Sequence, residues 1–337
     1  MNNDEPIKFS IIIPVQKIND YVLETCQKLG NLKNNNFELI IFPDAIDIQE
    51  KEILEKKLKA RLISTGNIGP AGKRDLSLKY AQGEYLAFLD DDAYPKEDWL
   101  TIAEKFLENS EVSALGGSQL TPQSDSFWQK VSGAVFLSPL SGSALIRYWP
   151  SKQRCEVEDW PTVNFFIKKS DFSAIGGFDS QYWPGEDTKL CLDIVKKLKK
   201  KIIYVPDLIV FHHRRSGLLR HLKQIGNYGL HRGYFAKKFP ETSKKFMYFI
   251  PSLFVIFLII GLVTSYSFPF MINLYLLVIF IYSFALLFST LMVWQKSKNF
   301  FISLMTIPYL IGTHLWYGIR FIQGLIFTKE LKSKLGK

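Results

Sequence analysis

Cysteine is nearly missing from this 337-residue chain: Cys26, Cys155 and Cys191 are odd in number, widely spaced and never paired as CxxC. A disulfide framework is thereby excluded, and three free thiols are expected. No leader is expected either. Met1–Pro6 is polar and acidic, no apolar core follows at the right distance, and residues 7 to 13 read as a strand. The soluble part is expected to stay where it is made, in the cytoplasm. Neither an internal repeat nor a low-complexity linker interrupts the chain.

Charge is absent from Phe246 to Gln295, 50 consecutive residues without Asp, Glu, Lys or Arg. A bilayer core takes about 20 apolar residues per helix, so this stretch is long enough to cross twice. Ser265–Pro269 supplies the turn between the crossings. A second uncharged stretch, Asn299 to Ile319, is interrupted only by His314. Acids are scarce just before these segments. Lys196–Lys245 holds 14 Lys or Arg against Asp207 and Glu241, a net +12, and Lys296, Lys298, Arg320 and the tail from Lys329 add +6. The total is +10, so Met1–Val195 carries −8. Cations gathered beside apolar segments suit anionic headgroups and the positive-inside rule. The acidic N-terminal part makes nucleic acid a poor partner.

In that part, apolar runs alternate with helical stretches. Lys8–Val15, Phe37–Phe42, Leu62–Ser64 and Glu84–Leu89 read as strands. Helices are expected from Asp20, as cap, to about Leu32, over Gln49–Leu58, and from Pro70 to about Ala81. The alternation predicts an α/β sheet with right-handed crossovers, which binds ligands beyond the carboxyl ends of its strands. Asp44 and Asp90–Asp92 stand at such ends. Further strands are expected over Glu111–Ala114, Val163–Lys168, Ile202–Val205 and Leu208–Phe211, and helices over Asp125–Phe136, Ser170–Ile175 and Glu186–Lys199. Ser216–Phe239 puts Leu218, Leu219, Leu222 and Ile225 on one side and Arg220, His221 and Lys223 on the other, a basic amphipathic helix for a membrane interface.

Asp90-Asp91-Asp92 follows the apolar strand directly. Adjacent carboxylates repel unless a cation sits among them. On an extended chain Asp90 and Asp92 share a side and suit Mg2+ or Mn2+ beside phosphate oxygens. A lone acidic triplet is as often a solvated turn, but here Gly69-Pro70-Ala71-Gly72-Lys73-Arg74-Asp75 opens the helix before it. A glycine-rich helix start with two cations receives an anion.

With these motifs in this order the chain resembles the family 2 glycosyltransferases of the GT-A fold, over roughly Phe9 to Lys238. The resemblance implies a Rossmann-like catalytic domain over 1–196. A basic interfacial segment over 197–245, about three membrane helices over 246–327 (the last either crossing or re-entrant) and a basic tail over 328–337 complete the expected organisation. It also implies that Pro14 and Val15, at the end of the opening strand, meet the nucleotide, with Asp44, Lys73, Arg74, Asp90 and Asp91. Asp90 and Asp92 match the metal-binding DxD. Trp183-Pro184-Gly185-Glu186-Asp187 matches the acceptor motif, with Asp187 as general base and Glu186 orienting it; plain helix capping is the alternative. His212, His213, Arg214 and Arg215, with Gln224 and Arg232 on one face of the next helix, correspond to a cluster beside the diphosphate in membrane-bound members. A plain interfacial basic patch is the other reading. Asp44 stands in Phe-Pro-Asp-Ala rather than a paired-acid sequence, which leaves UDP- and GDP-linked donors both open. Leu192-Asp193 occupies a place that is often basic in the family.

The expected activity is inverting transfer of a sugar to a polyprenyl-linked glycan, or to polyprenyl phosphate itself, at the cytoplasmic face of the membrane. A nucleotidyltransferase would need neither the acceptor motif nor an anchor. A non-catalytic membrane scaffold would not need the acids at 90, 92 and 187. Three crossings would carry the basic tail to the outside, against the positive-inside rule.

Overall fold

The computed structural model describes residues 6–47, 52, 54–55, 59–150, 153–179 and 181–331. The expected helix over Gln49–Leu58 lies largely outside them, as does the basic tail beyond Leu331. Two compact units emerge: the chain up to Leu120 with Trp149–His212, and Thr121–Tyr148 with His213–Leu331. The sheet thus runs past residue 196, and residues 121–148 group with the long C-terminal helices.

The first unit is built on a mixed sheet of nine strands: β1 (Phe9–Pro14), β2 (Phe37–Phe42), β3 (Ala60–Leu62), β4 (Tyr85–Leu89), β5 (Ala93–Pro95), β6 (Val112–Leu120), β7 (Cys155–Val157), β8 (Asn164–Lys168) and β9 (Lys201–His212). Their order is β3-β2-β1-β4-β8-β6-β9-β5, with β7 also on β9. β1 is buried along its whole length, as its largely apolar run favours, and lies parallel between β2 and β4. β8 then runs antiparallel to β4 and β6. Around the sheet lie α1 (Asp20–Leu29), α2 (Pro70–Asp75), α3 (Ser77–Tyr80) and α4 (Trp99–Leu107). The second unit contributes α5 (Phe127–Val135) and α6 (Leu145–Tyr148), and the first unit resumes with α7 (Lys169–Ala174) and α8 (Glu186–Asp193).

Several boundaries differ from the sequence reading. Asn19, not Asp20, caps α1: its side chain accepts from the Val22 N–H at 3.0 Å. The helix from Pro70 breaks at Leu76 into α2 and α3. β3 falls two residues early, and α8 ends at Asp193 before a wider turn over Ile194–Leu198. The two short strands after residue 201 form one strand, β9, which keeps pairing with β6 across a register shift opposite Gly117 and Ser118. β6 extends to Leu120 through Gly116 and Gly117, residues that weaken an isolated strand. Packing explains them: a Cβ on Gly116 would lie 2.4 Å from the Trp160 ring, and one on Gly117 2.0 Å from the Leu208 carbonyl oxygen.

The second unit continues with α9 (Leu218–Lys238), α10 (Pro240–Ser243), α11 (Phe246–Ser267), α12 (Met271–Ser297) and α13 (Phe300–Ile322). α11 and α12 are long and apolar enough to cross a membrane, and few of their residues are buried, unlike those of a soluble core helix. α9 corrects the expected faces. Leu219 is 83% exposed, whereas His221 is fully buried, bonded to Ser132 at 2.8 Å and Thr313 at 3.0 Å. The apolar stripe of α9 therefore packs inward with His221 on it; burial holds this imidazole down to about 4, so it is a neutral core residue.

Candidate functional site

The parallel strands end at one edge of the sheet, and the acids there are not left bare. Asp44 follows β2, and its carboxylate pairs with Lys73 Nζ, which also donates to the Val15 carbonyl at the end of β1. Lys73 is 2% exposed, so its charge is committed to this brace between Pro14-Val15 and Asp44. The neighbouring Arg74 is equally buried. Its Nη2 lies 2.6 Å from Asp90 Oδ1, its Nη1 3.9 Å from Glu186 Oε1, and its guanidinium 5.7 Å from the Phe178 ring centroid. One side chain thereby joins the acidic triplet after β4 to the acceptor-like motif at the start of α8.

Asp92 is buried beside β5, and its Oδ1 lies 3.1 Å from His212 Nε2. Strand pairing produces this contact: β5 pairs antiparallel with β9, with Ala93 opposite His212. Asp90, Asp92 and His212 offer two carboxylate oxygens and an imidazole nitrogen within 4.8 Å of one another. That donor set fits a divalent cation of the Mn2+ type, which takes oxygen ligands and tolerates imidazole. Asp91 points elsewhere, accepting from the Asn19 side chain at 3.4 Å.

At the start of α8, Gly185 has φ +121°, a conformation that favours glycine, and its N–H donates to Glu186 Oε2 at 3.0 Å. Burial, then the adjacent Asp187 carboxylate, pushes Glu186 well above the usual carboxylate range; Arg74 opposes the shift. Asp187 is half-buried and accepts the Thr188 N–H at 2.8 Å, while Thr188 Oγ1 donates to Asp159 at 3.0 Å. Trp183 is half-buried just before this turn. The loop leading to it is tied to α2 by Asp75, whose Oδ1 accepts the Phe178 N–H at 2.7 Å.

The structure brings Val15, Asp44 and Lys73 together, and separately Arg74, Asp90 and Glu186. His212 joins Asp92 rather than its sequence neighbours. His213, Arg214, Arg215, Gln224 and Arg232 belong to the second unit. There, buried His213 pairs with Asp125, whose other oxygen accepts the Arg214 N–H at 3.2 Å, and Arg214 Nε donates to Thr121 at 3.2 Å. Arg215 is exposed, Gln224 bonds the Tyr228 hydroxyl at 3.1 Å, and Arg232 lies 5.0 Å from the Tyr248 ring centroid. The sequence reading missed Asp75, Asn19 and the partnership of His212 with Asp92. Only Asp75 carried a signal, as the acid closing the Gly-rich motif.

Residues 10–169 match the model of Glycosyl transferase family 2. The chain is 23% identical over 94% of its length to a Methanococcus voltae protein named dolichyl N-acetyl-alpha-D-glucosaminyl phosphate 3-beta-D-2,3-diacetamido-2,3-dideoxy-beta-D-glucuronosyltransferase, covering 97% of it. It is 29% identical over 116 residues to TarS of Staphylococcus aureus, a poly(ribitol-phosphate) beta-N-acetylglucosaminyltransferase; the match takes in 32% of this chain but only a fifth of TarS. Among solved structures, the mannosyltransferase PcManGT of Pyrobaculum calidifontis, in complex with GDP-Man and Mn2+, superposes with a TM-score of 0.57 at 15% identity, over 97% of this chain and 89% of that one. The sheet order and these likenesses agree on an α/β fold of the GT-A type, and residues 10–169 are similar to the family 2 glycosyltransferases.

Proposed function

We propose that this protein is an inverting glycosyltransferase that moves a sugar from a UDP- or GDP-linked donor onto a lipid-linked acceptor, a polyprenyl-linked glycan or polyprenyl phosphate, at the cytoplasmic face of a membrane. The observation that carries the reading is Arg74. It ties Asp90, of the donor-side acids, to Glu186, of the acceptor-like motif, across almost a hundred residues of sequence. The M. voltae relative, named for transfer to a dolichyl-linked sugar phosphate, favours a lipid acceptor.

In this reading Pro14, Val15 and Asp44 bound the nucleotide, with Lys73 holding Asp44 in place. A divalent cation held by Asp90, Asp92 and His212 would supply positive charge beside the leaving diphosphate. Buried Glu186 keeps its proton and donates, leaving removal of the acceptor hydroxyl's proton to Asp187. A single displacement from the face opposite the diphosphate inverts the anomeric carbon.

The membrane part follows from contacts inside the second unit. α11 and α12 run antiparallel, with Phe254 against Tyr282 and Phe257 against Tyr275. The last turns of α13 return to the first turns of α11: Ser252 Oγ donates to the Gly318 carbonyl at 3.1 Å, and Phe249 meets Phe321. The start of α13 follows the end of α12, which lies on the same side as the start of α11. Both ends of α13 then lie on one side, so the chain crosses twice and Lys296, Lys298 and Arg320 share that side, as the positive-inside rule asks.

The test is incubation of membranes holding the full chain with labelled UDP- and GDP-sugars and Mg2+ or Mn2+, following label into the lipid extract. Transfer from one donor, lost in Asp187→Asn and Asp92→Asn, is expected. No transfer and no metal-dependent nucleotide release by folded protein across a broad donor panel would overturn the reading.

A further inference from the structure

The second unit is short of acids. Residues 121–148 and 213–331 hold 15 Lys or Arg against Asp125, Glu241 and Glu330, and Asp125 is engaged by His213 and Arg214. Two of these cations, Lys223 and Arg320, line a cavity of about 500 Å³ between the first half of α9 and the last turns of α13, within the usual range for a small-ligand site. Leu219, Leu222 and Trp316 make its apolar wall; Lys223, Arg320 and Asn227 make its polar side.

Its shape follows from local packing. Next to the cavity α9 and α13 touch backbone to backbone. A Cβ on Gly229 would lie 2.6 Å from the Tyr317 carbonyl oxygen, and one on Gly233 2.0 Å from that of Phe321. Toward the start of α9 the two helices stay in contact, with His221 bonded to Thr313 at 3.0 Å, and the cavity is bounded there by Leu219, Leu222 and Lys223. Arg320 Nε donates to the Gly226 carbonyl at 3.4 Å and its Nη1 to the Gln323 side chain. Its guanidinium is thus held in place by neutral acceptors. Among the described residues no carboxylate pairs with Arg320 or Lys223.

We propose that this cavity binds the phosphate headgroup of an anionic membrane phospholipid, with Arg320 and Lys223 on the phosphate and the acyl chains running along Leu219, Leu222 and Trp316. Charge complementarity selects the occupant: a zwitterionic headgroup brings its own cation against two unpaired ones, whereas a singly anionic phosphodiester does not. The apolar wall excludes a free, fully hydrated phosphate as the better fit. The site does not depend on the transferase reading. It draws on the two-crossing arrangement only in placing the end of α13 level with the start of α11, at headgroup depth.

The test is native mass spectrometry of the purified full chain in neutral detergent with phosphatidylglycerol, phosphatidylcholine or polyprenyl phosphate added. One retained phosphatidylglycerol, bound at least about tenfold more tightly than phosphatidylcholine, is expected from a charge-assisted pair. Arg320→Gln should weaken it at least about tenfold, whereas Lys238→Gln, which removes the same charge from the exposed end of α9, should leave it unchanged. Asn227→Trp, which fills the cavity without removing charge, should also expel the lipid, and it keeps the test valid should Arg320→Gln misfold. Equal binding of both phospholipids, or equal losses in Arg320→Gln and Lys238→Gln, would overturn the proposal. Displacement of phosphatidylglycerol by equimolar polyprenyl phosphate would overturn it too, by assigning the cavity to the acceptor lipid.

Discussion

Asp75 provides a test of the site's architecture that needs no substrate. Its carboxyl sits against Gly177, which holds φ +81° with Asp75 Oδ1 only 2.3 Å from where a Cβ would stand, and it accepts the Phe178 N–H at 2.7 Å. Burial raises its pKa from the ordinary 3.8 to about 7; the Phe178 N–H and Arg74 pull it down, and Asp179 adds a smaller upward push. Below about pH 4 the carboxyl is protonated in folded and unfolded chains alike, and contributes no pH dependence. Between 3.8 and about 7 the unfolded chain has lost the proton that the folded chain keeps, so stability falls as pH rises. Above that window the penalty is complete. At about 1.4 kcal/mol per pH unit it reaches the order of 4 kcal/mol.

Asp75→Asn keeps an Oδ1 acceptor for Phe178 and cannot ionise. Its stability relative to wild type should therefore be near zero at pH 4 and should climb through pH 6 to a plateau at pH 8. For a unit of this size the plateau corresponds to a gain in Tm of about 10 °C. The assay is thermal unfolding of the purified chain in neutral detergent at those three pH values and constant ionic strength. Asp75→Ala removes the acceptor as well and should lose about 1–3 kcal/mol at pH 4, where ionisation contributes little. A wild-type-to-Asn difference that is flat across pH would refute the account, because a purely steric or hydrogen-bonding effect has no reason to follow proton uptake.

Three further outcomes are expected. Arg74→Met leaves Asp90 without its buried cation and should destabilise the first unit by about 3–5 kcal/mol; adding Asp90→Asn should restore part of this, a coupling that a double-mutant cycle of unfolding free energies measures. Gly116→Ala drives a methyl into the Trp160 ring and should cost about 1–3 kcal/mol, read as a lowered Tm. Asp125→Ala strips the buried partner from His213 and the Arg214 N–H, and unfolding should become easier by about 1–3 kcal/mol.

What the sequence disclosed was local. β1 and β2 lie within a residue of their expected ends because short, mostly apolar and β-branched runs of this length suit a buried parallel strand. The break between α11 and α12 fell at the expected Ser-Tyr-Ser-Phe-Pro turn. β6 was cut short in the reading because Gly116-Gly117-Ser118-Gln119 has little intrinsic strand preference. Its pairing with β9 and the ring of Trp160 override that, and neither is visible in a window of ten residues. The apolar stripe of α9 was misassigned for a related reason. His221 counts as polar by residue type, yet Ser132 and Thr313 satisfy both its nitrogens inside the core.

The block His212-His213-Arg214-Arg215 shows where reading by proximity fails at a site. As a string it is a single patch of cations, and its likeness to a family cluster invites one shared role. Alternation along an extended strand sends neighbouring side chains to opposite faces, and here the two histidines part company. His212 ends β9 and turns to Asp92, completing a three-donor set with Asp90. His213 opens the second unit and turns to Asp125, where its pairing also fixes the backbone of Arg214. What assigns His212 is the register of β5 on β9, Ala93 opposite His212, a pairing between segments more than a hundred residues apart. A metal-site reading confined to the DxD spacing therefore finds the two carboxylates and misses the imidazole, because two candidate donors share a turn and the third arrives by sheet topology.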